Sequence, residues 1–243
     1  MTTIYEAANH ILIHTGYRDP ACHSHMAAQI IVLPEGEMEV TLDGRKLRCP
    51  GIMIPSGVSH RIDTGGKAAL VFLFDSTTHV SGQIREVFPL SEEISGKIAG
   101  LYAEMDRKGG SYGTFYRGFL EAVGMTEAPG SVKDPRILAA MAYIRCHLSD
   151  SITCSRTARA VCLSESRFSH LFRQETGMTF AAYVIYQRIM YVYAQRLRGK
   201  NLTEAAIAAG FGGSAHFADV NRRIFGLPAT QITRDWLLKS AEI

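Results

Sequence analysis

Short apolar runs separated by turn residues fill the first third of the chain. The runs occupy residues 11–14, 29–33, 37–42, 52–54 and 70–74. The breaks between them are Asp-Pro at 19–20, Pro-Glu-Gly at 34–36, Asp-Gly at 43–44, Pro-Gly at 50–51 and Gly-Gly at 65–66. Many short strands at this spacing predict a β-sandwich or a small β-barrel. The Asp43-Gly44 pair predicts a tight hairpin turn, because both residues tolerate positive φ angles.

The hydrophobic period changes to that of a helix after residue 87. Two apolar sets recur at helical spacing on either side of a glycine turn: Leu90, Ile94, Ile98, Leu101 and Met105, then Tyr112, Phe115, Phe119, Leu120 and Val123. They predict two amphipathic helices. These helices can pack against the strand region or against their copies in a second subunit, and the two arrangements are compatible. Residues 127–131 lack any periodicity and are the best linker candidate.

The last third of the chain predicts helices throughout. Asp134 and Pro135 are typical of a helix start. An apolar stripe expected to be buried follows at Ile137, Leu138, Met141, Ile144 and Leu148. A short helix is expected at 157–161, a turn at 162–164 and a third helix at 165–175. Phe168, Leu171 and Phe172 of that third helix are expected to face inward.

This helical pattern occurs twice. One offset of 49 residues places Phe168 on Phe217, Arg173 on Arg222 and Gly177 on Gly226. Both copies run from an alanine-rich helix through a short turn into a helix that ends at glycine. A doubled helical module at this spacing suits contact with two successive turns of a DNA groove.

Charge is distributed unevenly between the two halves. The 243 residues have a formal net charge of +3. Residues 1–132 hold 11 Lys and Arg against 15 Asp and Glu, whereas residues 133–243 hold 15 against 8. A basic half joined to an acidic half indicates that a polyanion would bind the C-terminal part. A solvated basic surface gives the same pattern, so charge is supporting evidence only.

The cysteines indicate a reducing compartment. The five residues, Cys22, Cys49, Cys146, Cys154 and Cys162, are odd in number and form no C-x-x-C pair. This usage is typical of reduced thiols in a cytosolic protein. The N-terminus lacks a signal-peptide pattern, and no apolar run approaches the roughly 20 residues that cross a bilayer. We therefore expect a cytoplasmic protein without a membrane partner.

A histidine cluster lies within the strand region. His23 and His25 are two residues apart and Gln29 shares their parity, so on a strand the three side chains would point to one face. His60 follows the turn residues 55–59, which can aim it at the same face. Three imidazoles and an amide oxygen can hold a divalent zinc, nickel or iron ion. The alternative is that these side chains line a small-molecule pocket or hydrogen-bond to one another.

The cluster gives the strand region a resemblance to the cupin family. The two cupin motifs have the forms G…H-x-H-x(3–4)-E…G and G…P-x-G-x-x-H. Here they read Gly16…His23-Ser24-His25-Met26-Ala27-Ala28-Gln29…Gly36 and Gly51…Pro55-Ser56-Gly57-Val58-Ser59-His60. The resemblance covers residues 10–75 and implies a β-barrel. Gln29 stands where metal-binding cupins usually carry Glu, and the missing carboxylate weakens a divalent metal site.

The last third resembles the AraC/XylS family of transcription regulators over residues 134–235. The motif reads Leu163-Ser164-x-x-Arg167-Phe168-Ser169-x-Leu171-Phe172-Arg173-x-Glu175-Thr176-Gly177, then Gly210-Phe211-x-x-x-x-His216-Phe217 and Phe225-Gly226-Leu227-Pro228. The resemblance implies two helix-turn-helix units joined by a long helix at 180–198, which stops at Gly199. The third helix of each unit would enter the major groove. The implied DNA-facing residues are Ser166, Ser169, His170 and Arg173 in the first unit and Ser214, Ala215, Ala218 and Asp219 in the second.

The second unit departs from the family pattern. Asp219 stands where the family commonly has Arg or another polar base-reading residue, and Asn221 replaces a usual core aromatic. A carboxylate can accept from a cytosine amino group, but phosphates repel it. We therefore expect the first unit to set most of the sequence preference, and Arg222 and Arg223 to contact the DNA backbone.

Together these patterns predict an α+β chain of two domains, an N-terminal cupin-like β-barrel plus helical connector and a C-terminal all-α double helix-turn-helix. The expected boundaries are 1–86 for the sensing domain, 87–131 for the connector, dimerisation segment and linker, and 132–243 for the DNA-binding domain. The expected function is that of a homodimeric transcriptional regulator, not an enzyme, which binds double-stranded DNA and senses a small molecule or a metal. The alternative is a metal-dependent, dioxygenase-like cupin enzyme with a helical appendage.

Overall fold

The computed structural model describes residues 2–7, 10–18, 21–25, 27–74, 78–127, 132–225 and 236–240. Within these ranges the side chains of residues 6, 17, 18, 108, 197, 222–225, 236–238 and 240 are not described. The chain divides into two compact units. The first comprises Met1–Pro129 with Arg234–Ile243, and the second comprises Gly130–Thr233. No helix in the ranges given above is both long and apolar enough to span a bilayer.

A nine-stranded sheet dominates the first unit. In the described residues its strands are β1 (Thr2–Glu6), β2 (His10–Arg18), β3 (Ala28–Val32), β4 (Met38–Leu42), β5 (Arg45–Cys49), β6 (Gly51–Ile54), β7 (His60–Phe74), β8 (Phe88–Leu90) and β9 (Trp236–Ser240). The order is β8-β6-β3-β7-β2-β1-β9, and β4 pairs with both β5 and β7. The pairs are antiparallel except that β9 runs parallel to β1.

Both faces of the central strands are buried. Ile30 of β3 lies in one apolar cluster with Phe72 of β7, whereas Ile31 lies in a second cluster with Val71. Side chains alternate between the faces of a strand. Two clusters on opposite faces therefore explain why residues 30–33 read as a continuous apolar run and not as an alternating one.

The two glycine-containing breaks near β4 and β7 have different outcomes. Asp43 has a φ of 47° and Gly44 a φ of 77°, so the predicted hairpin turn between β4 and β5 is confirmed. The Gly65-Gly66 break is wrong as a strand boundary, because β7 is continuous from His60 to Phe74. Both glycines have positive φ, 63° and 78°. They bend one long strand, which pairs with β4 near its start and with β2 and β3 near its end.

In the described part of this unit, three helices accompany the sheet: α1 (His79–Gln83), α2 (Glu92–Lys108) and α3 (Tyr112–Ala122). The Ser91 side chain caps α2 by accepting from the Ile94 amide, so Leu90 lies in β8 and not in the predicted helix. The apolar stripes of α2 and α3 share a cluster with the sheet. Phe119 stacks on Phe72 with ring centroids 3.9 Å apart. The expected packing of these helices on the strand region is thereby confirmed.

Six helices form the described part of the second unit: α4 (Pro135–Cys146), α5 (Cys154–Ala160), α6 (Glu165–Thr176), α7 (Phe180–Leu197), α8 (Leu202–Ala208) and α9 (Ser214–Phe225). Side chains at the first five helix starts accept from backbone amides: Asp134, Thr153, Ser164, Thr179 and Asn201. These caps explain why the helices begin where they do. In α4 the expected burial of Leu138 is wrong, since it is 48% exposed. It adjoins Ile137, and consecutive helical residues point about 100° apart.

The repeat has two registers rather than one. Phe168 of α6 and Phe217 of α9 are 49 residues apart, and both are fully buried. Earlier in each copy of the repeat the offset is 48 residues, because the amides of Leu163 and Phe211 each donate to the carbonyl five residues before them. The turn of the second copy therefore contains one extra residue. Gly226 lies outside the described residues.

Candidate functional site

Helix α6, the third helix of the first helical repeat, has one buried and one exposed face. Its apolar residues Phe168, Leu171 and Phe172 are buried, as predicted. The four residues implied to face DNA are all exposed: Ser166, Ser169, His170 and Arg173. The helix ends at Gly177, whose φ of 71° is the left-handed cap that the sequence indicates. Hydroxyl, imidazole and guanidinium groups on one exposed helix face can reach base edges and phosphates.

Helix α9, the third helix of the second helical repeat, offers fewer hydrogen-bond donors than α6. Of its implied DNA-facing residues, Ala215 and Asp219 are exposed, whereas Ser214 and Ala218 are half-buried. The Thr203 hydroxyl of α8 lies 3.1 Å from Oγ of Ser214, which ties that hydroxyl to α8. The backbone of Arg222 and Arg223 is helical, but their side chains lie outside the described residues.

Sequence reasoning missed three residues beside α6. Sγ of Cys154, at the start of α5, lies 3.1 Å from Oγ of Ser169. Arg156 and Arg159 are exposed on the same helix. Their spacing of three residues was the available signal, because it places both side chains on one face of a helix. They add positive charge on the helix that packs against α6.

Asn221, which replaces an aromatic residue of the family pattern, belongs to the core of the second unit. It is fully buried, and the hydroxyl of Tyr193 on α7 donates to its Oδ1. The Tyr193 ring also packs edge-on against Phe217, with centroids 6.0 Å apart. A hydrogen bond between the two polar groups offsets the cost of burying them. Asn221 therefore has no part in the outer face of α9.

In the first unit, three buried imidazoles come together. One ring nitrogen each of His23, His25 and His60 lies within 4.8 Å of those of the other two. His60 is the first residue of β7, as the turn before it predicts. The strand-parity argument for His23 and His25 is wrong, because β3 begins only at Ala28. They converge instead because the amides of His23 and His60 donate to each other's carbonyls, at 2.9 and 2.8 Å.

Backbone carbonyls set the tautomer of the imidazoles. Nδ1 of His25 lies 2.8 Å from the Ala27 carbonyl, and Nδ1 of His60 lies 2.9 Å from that of Val58. Nδ1 of His23 lies 3.4 Å from the Ala21 carbonyl. A carbonyl oxygen only accepts, so each Nδ1 carries the hydrogen of a neutral ring. Every Nε2 then bears a lone pair, as a metal ligand requires.

The Gln29 amide cannot match both of its imidazole neighbours. Its Nε2 lies 2.8 Å from Nε2 of His60 and can donate to it. Its Oε1 lies 3.0 Å from Nε2 of His25, so an acceptor faces a second lone pair. Rotating the amide by half a turn moves the same mismatch to His60. A cation held by Oε1 and the lone pairs removes the mismatch.

Burial keeps these rings neutral. Desolvation, with the neighbouring His60 and His23 adding to it, lowers the pKa of His25 to about 3. Desolvation likewise lowers the pKa of His60 to about 4 and lowers the pKa of His23. Within the described residues no carboxylate joins the cluster. The arrangement offers three neutral nitrogen ligands and an amide oxygen.

The helices of the second unit match a class of DNA-binding domain. Residues 157–235 match the family model described as "Helix-turn-helix domain". Over 92 residues the chain is 30% identical to the probable transcriptional regulator LumQ of Photobacterium leiognathi, covering 37% of this chain and 36% of LumQ. Over 57 residues it is 46% identical to the arabinose operon regulatory proteins of Salmonella typhimurium and Escherichia coli, covering 23% of this chain and 20% of each relative. The C-terminal part of this chain thus matches a helix-turn-helix domain and is similar to part of each of these transcriptional regulators.

The match spans between a fifth and about a third of each relative's length. The matched family is one of regulators and not a class of enzymes. Among solved structures, an apo variant of ToxT from Vibrio cholerae matches 94% of this chain and 98% of its own, with a TM-score of 0.59 at 9% identity. ToxT with a bound unsaturated fatty acid matches 93% of this chain and 95% of its own, with a TM-score of 0.61 at 8% identity. This likeness shows a shared fold with a β-sheet region and a helical region.

Proposed function

We propose that this chain is a sequence-specific transcriptional regulator that binds double-stranded DNA through residues 132–233 of the second unit and senses an effector through residues 1–86. The pair of helix-turn-helix units, each with an aromatic core and a partly exposed third helix, carries the proposal. The relatives named as regulators support it. Residues 133–243 also hold 15 Lys and Arg against 8 Asp and Glu, a balance that favours contact with phosphates.

The two helix-turn-helix units contribute differently to DNA binding. The exposed face of α6 presents two hydroxyls, an imidazole and a guanidinium, so it reads base edges. The face of α9 presents Ala215 and Asp219, which supply no donor for phosphates. Arg222 and Arg223 follow on the same helix and make backbone contacts. The first unit therefore sets most of the sequence preference.

Selection of duplexes from a random library by the purified full chain tests this proposal. With the selected duplex, His170→Ala is expected to reduce discrimination against single-base changes by about tenfold, as expected for loss of a base contact worth 1–3 kcal/mol. Arg222→Ala is expected to weaken binding to all duplexes alike and to lower the slope of log K against log salt by about one. Arg107→Ala, an exposed change on α2, is the control and leaves both quantities unchanged. Equal effects of His170→Ala and Arg222→Ala on every sequence contradict the division of labour.

The histidine cluster with Gln29 is the proposed effector site. Three imidazole nitrogens and an amide oxygen suit zinc, nickel or iron better than magnesium or calcium. Two ligand nitrogens that are both about 2.1 Å from one ion lie at most about 4.2 Å apart, so any pair near the 4.8 Å limit of this cluster moves inward on binding. A bound divalent ion would supply an uncompensated positive charge there, since the described cluster has no carboxylate. Binding that favours one domain arrangement would then alter DNA affinity.

Metal analysis of the purified chain and zinc titration test this site. Wild-type protein is expected to bind about one zinc per chain, and His25→Ala to bind none at the same concentration. His170→Ala, which changes an exposed imidazole of the other unit, is the matched control. Chelator is expected to change the affinity for the selected duplex. Zinc binding that survives His25→Ala would contradict the assignment of these ligands.

A small organic effector is the second candidate for the first unit. The ToxT structure with a bound unsaturated fatty acid, which shares the fold, supports it. An increase in the unfolding temperature of the metal-free protein by such a ligand would favour this candidate over a metal. Tight iron with turnover and no salt-sensitive DNA binding would instead favour the dioxygenase-like enzyme.

A homodimer formed through residues 87–131 in the cytoplasm completes the proposal. The half-buried apolar residues of α2, Ile94 and Leu101, support it, because they border the face packed on the sheet. Sedimentation of the full chain over a range of concentrations tests the dimer, and a monomer at all concentrations would contradict it.

A further inference from the structure

Helix α7 joins the two helix-turn-helix units through its two ends. Tyr183, near its start, packs edge-on against Phe172 of α6, with ring centroids 5.4 Å apart. Tyr193, near its end, packs against Phe217 of α9, with centroids 6.0 Å apart. Arg188 lies midway between these two contacts and is half-buried. Whatever Arg188 binds is therefore placed at the junction of the two units.

Arg188 binds the segment that follows α4. Its Nε donates to the Leu148 carbonyl at 3.2 Å, and its Nη2 donates to the Asp150 carbonyl at 2.9 Å. The guanidinium is planar and presents its donors in a fixed fork, so two carbonyls at these positions define its orientation. Burial lowers the pKa of Arg188, although a guanidinium stays protonated at physiological pH.

The turn of the second helix-turn-helix unit approaches the Leu148 carbonyl, which also accepts from Arg188. Gly210 follows α8, with a φ of 81°. A Cβ at this position would lie 2.5 Å from the Leu148 carbonyl oxygen and 2.8 Å from Nη2 of Arg188. Contacts this short do not occur for real Cβ atoms, so the turn can pack here only if residue 210 is glycine.

The equivalent turn of the first helix-turn-helix unit shows that this turn does not require glycine. In the register of 48 residues, Cys162 is the counterpart of Gly210. Cys162 also has a positive φ, of 56°, yet it carries a side chain and is exposed. The difference between the two positions is the neighbour that each one meets. Gly210, in the second helix-turn-helix unit, is required because it lies so close to Leu148 and Arg188.

We propose that Arg188 is a positioning residue for DNA recognition. Together with Gly210 it holds the turn of the second helix-turn-helix unit against the segment after α4. This contact fixes the separation of α6 and α9. This proposal rests on the proposed DNA binding by both units. The joint sets how far apart on the duplex the two third helices bind. It does not itself touch DNA.

Footprinting tests the joint. Hydroxyl-radical cleavage of the duplex selected by the wild-type full chain maps backbone contacts even where no base is read. At a saturating concentration the wild-type protein is expected to protect two backbone segments about one turn of DNA, or about 10 base pairs, apart. Arg188→Met is expected to bind this duplex about tenfold more weakly and, at its own saturating concentration, to protect fully only the segment of the first helix-turn-helix unit, because its second helix-turn-helix unit is no longer fixed.

The matched variants separate this role from a loss of folding. Arg188→Lys, which keeps the charge but not the fork, is expected to lie between wild type and Arg188→Met. Gly210→Ala is expected to behave as Arg188→Met does, whereas Cys162→Ala, at the equivalent exposed turn, keeps the wild-type footprint. A wild-type footprint in Arg188→Met or Gly210→Ala would overturn the proposal.

Hydrogen exchange on the DNA-free full chain gives a second measurement. Arg188→Met is expected to increase exchange in residues 146–152 and 208–213 together while leaving α6 and α9 protected. Unchanged exchange in those two segments would overturn the joint. Failure of the wild-type protein to enrich any duplex would contradict the proposed DNA binding, and the exchange experiment then decides the joint alone.

Discussion

Nε2 of His10 lies 2.6 Å from the hydroxyl oxygen of Tyr112 in the core of the first unit. His10 is on β2 and Tyr112 begins α3, so this hydrogen bond joins the sheet to the helices packed on it. The imidazole also stacks on Tyr116, with ring centroids 4.3 Å apart. The two residues are 102 positions apart in the sequence, and neither belongs to a motif.

Tyr112→Phe is expected to destabilise the first unit. The substitution keeps the ring and removes the hydroxyl that contacts His10, and loss of a buried hydrogen bond costs about 1–3 kcal/mol. Urea unfolding followed by the fluorescence of Trp236, the single tryptophan of the chain, measures this unit. Tyr143→Phe in the second unit is the control and is expected to leave that transition unchanged. An unchanged midpoint in Tyr112→Phe would show that the hydroxyl is not needed.

The same histidine makes the first unit sensitive to acid. Desolvation lowers the pKa of His10 to about 3 in the folded chain, against about 6.5 when it is unfolded. Between these values the unfolded state binds the extra proton, so stability falls as the pH is lowered from 6.5 toward 3. At pH 4.5 the loss from His10 is about 2–3 kcal/mol. His10→Gln is expected to flatten the pH dependence by that amount relative to wild type in the same urea assay, and parallel pH profiles would contradict it.

The pair Tyr193 and Asn221 is expected to show coupling in the second unit. Asn221→Leu removes the amide oxygen that accepts from the buried Tyr193 hydroxyl, and Tyr193→Phe removes the hydroxyl that donates to that oxygen. Each change is expected to cost about 1–3 kcal/mol, whereas the double variant costs less than the sum because both polar groups are gone. Unfolding followed by far-UV circular dichroism, with the selected duplex as a folding check, completes the cycle. Additive costs would contradict the coupling.

The sequence predicts local features well where a short-range signal determines them. The Asp43-Gly44 turn, the cap at Asp134 and the inward face of α6 all follow from neighbours within a few residues. Helix caps and period-3.6 stripes are local by nature. The resemblance of residues 134–235 to AraC/XylS regulators is visible because its motif combines many such signals in a fixed spacing.

Features that depend on distant partners could not be predicted. β9 pairs with β1 from the opposite end of the chain, and no local pattern announces that pairing. The histidines converge through a bridge between His23 and His60, 37 residues apart in the sequence, and not through strand parity. Asn221 reads as a departure from the family pattern until Tyr193 is seen beside it. In each case the deciding contact is tertiary and overrides the local period.

The β9 strand is expected to protect the sheet edge. Removal of residues 234–243 exposes the backbone donors and acceptors of β1, and an open edge pairs readily with other chains. Sedimentation velocity is expected to show concentration-dependent association beyond that of the full chain. Lys239→Ala is the control: its Nζ lies 3.2 Å from Oδ1 of Asp106, but both side chains are about two-fifths exposed, so the pair contributes less than about 1 kcal/mol. Identical sedimentation of the truncated and full chains would contradict the role of β9.

Gln29→Glu is expected to strengthen divalent metal binding at the histidine cluster. The carboxylate adds a negative charge beside Nε2 of His25 and Nε2 of His60, where the amide of the wild-type chain presents a neutral oxygen. A charged ligand improves a site that otherwise holds only neutral donors. Zinc titration by calorimetry is expected to give at least about a tenfold tighter dissociation constant, in keeping with the effect of changing one metal ligand.

Gln174→Glu, an exposed change on α6, adds the same charge away from the cluster and is expected to leave zinc affinity unchanged. His25→Ala combined with Gln29→Glu separates ligation from general electrostatic attraction. If the carboxylate acts as a ligand together with the imidazoles, the double variant binds zinc more weakly than Gln29→Glu, because one coordinated nitrogen is lost. If zinc affinity stays the same in both, the carboxylate attracts the ion without the histidines, and the cluster is not the metal site.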